Sequence, residues 1–151
     1  MQGRFQIGYY WVARAFLYFD LSILPTGKTI ISATVTVIGY YYGLTHVSIQ
    51  EGTQGATLST TDFNAFSGES FSIISWQAAA YPTFLPNTME LNAEGRLYVK
   101  EKLGATAKFC LREYTKDYLN IEPTGPGAGN GMYFANSPWT EAKPYLTIIY
   151  K

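Results

Sequence analysis

An all-β fold, a jelly-roll-like two-sheet antiparallel β-sandwich with one short helix, is what this sequence predicts, and three observations carry it. In residues 33–37, Ala33, Val35 and Val37 alternate with Thr34 and Thr36, which puts one set on a core face and the other on the opposite face. Short apolar segments of this kind recur along the chain, divided by turn chemistry such as Leu24-Pro25-Thr26-Gly27, where proline presets φ and glycine is free to take φ > 0. Only residues 92–103 (NAEGRLYVKEKL) read as a helix.

Taken in order, residues 4–10 read as a first short strand, with Phe5, Ile7 and Tyr9 on one side. The central stretch is residues 14–38, RAFLYFDLSILPTGKTIISATVTVI, which reads as a hairpin-like pair of strands around the Pro-Thr-Gly turn. In its first strand Ala15, Leu17 and Phe19 share one side; Arg14, Phe16, Tyr18 and Asp20 share the other. Because Phe16 and Tyr18 make that second side apolar as well, both faces should be covered. Arg14 and Asp20 lie roughly 20 Å apart along a strand, so each needs a partner elsewhere.

After the tyrosine run Tyr40-Tyr41-Tyr42, residues 44–50 should form a strand with Val47 and Ile49 inward, and residues 52–61 (GTQGATLSTT) a surface loop. Residues 62–66 are expected to make one helical turn, capped by Thr60 or Thr61, that plugs an end of the core with Phe63 and Phe66. Further strands are expected at 71–76 and 88–91, with an irregular crossover at 81–86. In the helix, Asn92 is the N-cap, Glu94 a first-turn acid and Gly104 the C′ residue. Leu97, Tyr98 and Leu103 should face the core. Strands at 106–113 (TAKFCLRE), 131–135 and 143–150 complete the sheets, separated by a long loop whose PTGPGAG segment cannot be strand interior. Leu17, Phe19, Val35, Val37, Phe109, Leu111, Leu146 and Ile148 should be buried.

The chain has 151 residues, the size of one domain, able to bury roughly 70% of the surface of its unfolded form. Its formal net charge is zero and it has no basic stripe, which argues against a nucleic-acid partner. Arg14 and Asp20 interrupt the only long apolar segment, so no membrane span is expected. Cys110 is the only cysteine, so no internal disulfide forms, as suits a reducing compartment or a secreted domain large enough to need no staple. No charged region followed by an apolar run is visible at the start, so no signal peptide is read there. The aromatic content, 13 Tyr, 9 Phe and 3 Trp, suits strands and a sandwich core, with a share left for recognition or interface surfaces.

The order of motifs resembles the DNRLRE family, β-sandwich modules grouped with carbohydrate-binding modules on large extracellular proteins. The run from Arg14 to Val35 (RAFLYFDLSILPTGKTIISATV) is similar to that family's signature. LNAEGRLYV at residues 91–99, FCLRE at 109–113, YFANS at 133–137 and KPYLTIIY at 143–150 follow in the family's order. The resemblance implies a non-catalytic module for carbohydrate binding or adhesion at an extracellular, cell or virion surface. Family members carry a further strand before the position of Ile7. The chain begins only six residues earlier, so that strand is expected to be absent or supplied by another chain.

His46 stands alone, without the three or four N/S ligands zinc requires, and no G-x-S-x-G turn accompanies it. Asp62, Glu69, Glu90 and Glu113 are candidates for a carboxylate pair, but nothing in their spacing favours one. No enzyme activity and no cofactor are expected. Asp117, Asn120 and Glu122 present oxygen ligands at a spacing calcium could use, though a solvated turn with an Asx motif is the default. Sugar binding needs an aromatic platform, for which Tyr40, Tyr41, Tyr42, Trp76, Tyr81 and Trp139 are the candidates. The first strand would leave a sheet edge with no charge between Arg4 and Arg14. Phe5, Tyr9, Tyr10 and Trp11 are therefore interface candidates for a homo-oligomer or larger surface assembly. The alternative to a glycan-binding module is a structural subunit, such as a virion decoration or fibre protein or a filament building block.

Overall fold

The computed structural model describes residues 2–6, 9–42, 45–76, 85–122, 130–134 and 143–151. Its ten strands form two antiparallel sheets packed as an all-β sandwich with one short α-helix. The strands are β1 (Gln2–Gln6), β2 (Tyr9–Val12), β3 (Ala15–Asp20), β4 (Ile30–Tyr42), β5 (Thr45–Gly52), β6 (Phe66–Trp76), β7 (Leu85–Glu90), β8 (Thr106–Glu113), β9 (Asn130–Phe134) and β10 (Tyr145–Tyr150). The helix α1 spans Ala93–Glu101. The larger sheet runs β10-β4-β9-β1-β2, with β7 on the other edge of β4; the smaller runs β3-β8-β5-β6.

β4 organises the larger sheet. Thr36 stands opposite both Tyr145 and Thr88, and Gly39 opposite both Phe134 and Leu85. β10 and β9 therefore lie end to end along one edge of β4, and β7 along the other. The hairpin read into residues 14–38 is not formed: β3 pairs with β8 in one sheet and β4 belongs to the other. The Pro-Thr-Gly turn is real, with Gly27 at φ 77°, but it carries the chain between sheets. Two bonds hold its start away from β4: Leu21 N–H donates to Ala105 O at 2.8 Å, and Gly104 N–H to Leu21 O at 3.0 Å.

Residues 4–10 also depart from expectation, because they divide into two strands. β1 lies between β9 and β2, with Gly3 opposite Val12 and Gln2 opposite Gly131. β1 lies just before Ile7, and among the described residues the sheet edge falls on Tyr9–Val12.

The core forms where the alternation places it. Ala33, Val35 and Val37 of β4 meet Val47 and Ile49 of β5 and Phe109 and Leu111 of β8, all fully buried. Leu17 is buried with them, while Phe19, Leu146 and Ile148 are partly buried against the cluster. Phe109 receives edge-on contacts from Phe19 and Tyr98, at centroid distances of 5.9 and 5.3 Å. Asn92 caps α1 as read, accepting from Gly95 N–H at 2.9 Å. Leu97, however, is exposed, and the buried helix positions are Gly95, Tyr98 and Val99, with Leu103 beyond. Tyr150 breaks the alternation of β10, because the β4 register slips by one residue between Ile149 and Tyr150. β7 begins at Leu85, earlier than expected, and includes Pro86 opposite Ile38. Among the described residues it pairs only with β4, and an edge strand is where proline is tolerated.

Candidate binding cleft and its supporting network

Arg14 and Arg112 converge on one carboxylate. Asp117 sits in a π-helical turn, Tyr114–Tyr118, started by the Glu113 carboxylate, which accepts from Lys116 N–H. Arg14 donates to Asp117 through Nε (2.9 Å to Oδ2) and Nη2 (2.6 Å to Oδ1), and Arg112 through Nε (3.1 Å) and Nη2 (2.9 Å). Further donors of both groups are used as well. Arg14 Nη1 reaches Phe63 O and Asn64 Oδ1, and Arg112 Nη1 reaches Gln50 Oε1. Phe66 packs against both guanidinium groups, its ring centre 4.8 Å from Arg14 and 4.1 Å from Arg112, and Phe63 covers Arg14 at 4.2 Å.

The helical turn expected at 62–66, with Thr60 or Thr61 as its cap, lies instead at 60–64. It does not plug the core: its one ring, Phe63, covers Arg14, while Phe66, which begins β6, covers both arginines. Its start is Ser59, whose N–H donates to Asp62 at 2.8 Å, as Gly55 N–H does at 3.1 Å. Burial by itself would raise the Asp117 carboxyl, but the hydrogen bonds and charges of both arginines outweigh it and hold its pKa below the ordinary carboxylate value. This bears on the calcium candidate Asp117, Asn120 and Glu122, for which a solvated turn is the default. Both Asp117 oxygens are occupied, and two guanidinium charges oppose a cation there.

This network fixes an irregularity in the neighbouring strand. Ile49 pairs with Ser72 but Glu51 with Ser67, so residues 68–71 bulge out of β6. Gly68 supplies the left-handed conformation, φ 73°, that the bulge requires. Gln50, held by Arg112 through Oε1, donates through Nε2 to Gly68 O at 2.5 Å. Tyr118, beneath the Arg112 guanidinium at 5.6 Å, accepts from Ser70 N–H through its hydroxyl and donates to Glu69.

On its other side the bulge meets the start of α1. Asn92 N–H donates to Phe71 O at 2.8 Å and Asn92 Nδ2 to Ser70 O at 3.1 Å. Between β6 and the end of β7 this leaves a cleft of about 390 Å³ lined by Ser70, Ser72, Ile73, Glu90, Asn92 and Arg96 over a floor of Phe71 and Leu91. Its volume is near the lower end of the roughly 300–1,000 Å³ of small-ligand sites. Arg96 is aimed by one bond, Nη1 to Leu91 O at 3.0 Å, which leaves its other donors available.

Of the sequence-derived aromatic candidates, Tyr40 does not line this cleft. Tyr40 of β4 stands opposite Tyr133 of β9 and Tyr41 opposite Met132. Tyr42 stands opposite Gly131, and Trp76 ends β6 opposite Thr45. Tyr81 and Trp139 lie outside the described residues. Of the interface candidates, Tyr9, Tyr10 and Trp11 are on the edge strand β2, whereas Phe5 is on the inner strand β1. Sequence reading missed Arg96 and Asn92 as site residues, and weighed Glu90 only as one acid among several. The available signal was F-S-G-E-S-F at residues 66–71, where glycine interrupts an alternating strand. Comparison with protein families, curated proteins and solved structures finds no match.

Proposed function

We propose that this chain is a non-catalytic β-sandwich module for carbohydrate binding and adhesion, working at an extracellular, cell or virion surface within a larger assembly. The single observation that supports this reading is the cleft at the β6 bulge, where hydroxyl, amide, carboxylate and guanidinium groups surround a small volume beside the exposed Ile73. Few convergent polar groups beside apolar surface are what small-ligand recognition uses. Among the lining residues Glu90 is the one carboxylate. Glycoside hydrolysis uses a pair about 5–9.5 Å apart, which favours binding over turnover. The resemblance to DNRLRE modules supports the surface location. The test is a glycan array probed with the intact protein and with Arg96→Ala. Hits that disappear in the variant support the reading, and an array without hits overturns it.

A structural subunit is the second reading, favoured by the edge strand β2. Residues 9–12 carry no charge and no proline, the usual guards of a free edge. Arg14, the next charge along, is drawn inward to Asp117, its side chain only 10% exposed. The edge at β10, by contrast, is guarded by Lys143, Pro144 and Lys151 and by its bulge. Sedimentation of the parent and of Val12→Lys separates the readings. A parent that is monomeric at micromolar concentration sets the subunit reading aside.

A further inference from the structure

We infer that the cleft discriminates by charge and takes one ring of a neutral saccharide, excluding uronic acids; this rests on the carbohydrate reading above. The discriminating feature is an acid and a base kept apart. Glu90 is exposed at the end of β7 and Arg96 is half-buried on the first turns of α1. Both line the cleft, yet the two form no ion pair, and Glu90 pairs with no cation among the described residues. Arg96 is held back by its bond to Leu91 O, and Ser72 Oγ makes no hydrogen bond to the described protein.

A ligand spanning this gap must offer hydrogen-bond donors to Glu90 and acceptors to Arg96. A vicinal diol does both, because each hydroxyl is donor and acceptor. Two guanidinium N–H groups can reach adjacent oxygens, while Glu90 accepts their protons and Ile73, half-exposed, lies against the apolar C–H face of the ring. The lining charges sum to zero, one acid and one base. A carboxylated sugar gains from Arg96 only by bringing its charge beside Glu90, an unfavourable pairing built into the site. The volume accommodates a single ring, and the open mouth lets the rest of a glycan leave.

Saturation-transfer NMR on the intact chain tests this with methyl glycosides of neutral hexoses, the matching uronic acids and free leucine as probes. Neutral glycosides should bind, with uronic acids about tenfold weaker or more. Glu90→Gln, at an exposed position, should erode that discrimination, and Arg96→Ala should abolish binding. Uronic acids or leucine binding as well as the neutral sugars would overturn the inference while leaving a ligand site in place. Neutral-sugar binding that survives both substitutions overturns it too. No binding by any saccharide would remove both the inference and the carbohydrate reading.

Discussion

At Asp117 a single carboxylate answers for two guanidinium groups in a site where its own side chain is 4% exposed. Asp117→Asn would leave both cations facing a neutral amide, and breaking such a buried pairing costs about 3–5 kcal/mol. Arg14→Lys should also destabilise, because an ammonium cannot reproduce the fork that reaches Asp117, Phe63 O and Asn64 together. The pH dependence follows from the sign of the shift. Asp117 is held below the ordinary value of 3.8 in the folded state. Its contribution is therefore fully present above about pH 4 and is lost as pH falls through the depressed folded value. Acid unfolding monitored by circular dichroism should begin below pH 4, and Asp117→Asn should flatten that limb.

A second residue-scale test lies at Tyr98, whose hydroxyl donates to Lys108 O at 2.7 Å and accepts from Lys108 N–H at 2.9 Å. Burial, only partly offset by that N–H, pushes the hydroxyl up to about 12. One oxygen thus stands in for a missing strand at the end of the β5–β8 ladder. Tyr98→Phe should cost about 1–3 kcal/mol in chemical denaturation, the range for unsatisfied buried groups; a neutral result would mean that water takes over both bonds.

Among the elements, α1 was the most legible in sequence, since Asn92 and Glu94 are local signals with local causes, although Gly104, read as C′, takes its positive φ two residues beyond the cap at Lys102. Which of its faces is buried was not local. Leu97 is exposed and Gly95 buried because the helix packs on the β6 bulge, and the bulge depends on Gly68 and Gln50, many residues away in the chain. A methyl group at Gly95 would come within 2.9 Å of both Leu91 Cβ and Phe71 Cβ, atoms close to the backbone that cannot swing aside. Gly95→Ala gains about 1 kcal/mol of helix propensity, while overpacking costs about 1–3 kcal/mol, so thermal melting should show a net loss. The hairpin read into residues 14–38 failed for a related reason: a turn sequence specifies a local reversal and says nothing of which sheet receives the next strand. The cleft was illegible on the same ground, since Ser70, Glu90 and Arg96 become neighbours only once the bulge and the helix cap are joined. Gln50→Ala, which frees the bulge without touching the cleft, should weaken glycan binding in the array while Arg96 stays in place. Unchanged binding would show that β6 holds its bulge through Gly68 without help.

For the whole molecule, the all-β sandwich was legible because alternation is a property of each strand, and Val35, Val37, Val47, Ile49, Phe109 and Leu111 are buried wherever their partners come from. What alternation could not convey is the outer layer on the smaller sheet, made of residues 53–65 and the turn Tyr114–Tyr118. This layer is fastened by the Arg14–Asp117–Arg112 network and by the Tyr18 hydroxyl, which donates to Gly55 O at 2.9 Å. Cys110 reports on it. Its thiol is fully buried and burial, partly offset by the nearby arginines, pushes it up to about 12, so it is inert until something opens. On the strand register it stands opposite Gln50 and Phe16, on the side the outer layer covers. Two openings could expose it, global unfolding or lifting of the outer layer alone, and local units of this kind open at lower free energy than the core. If the layer is a separate unit, Asp117→Asn should accelerate labelling of Cys110 by a thiol reagent in native buffer far more than its loss of global stability requires. Leu17→Ala, a core change expected to cost about 2–5 kcal/mol, should accelerate labelling only in step with the global loss. Equal responses would mean that sandwich and outer layer unfold as one.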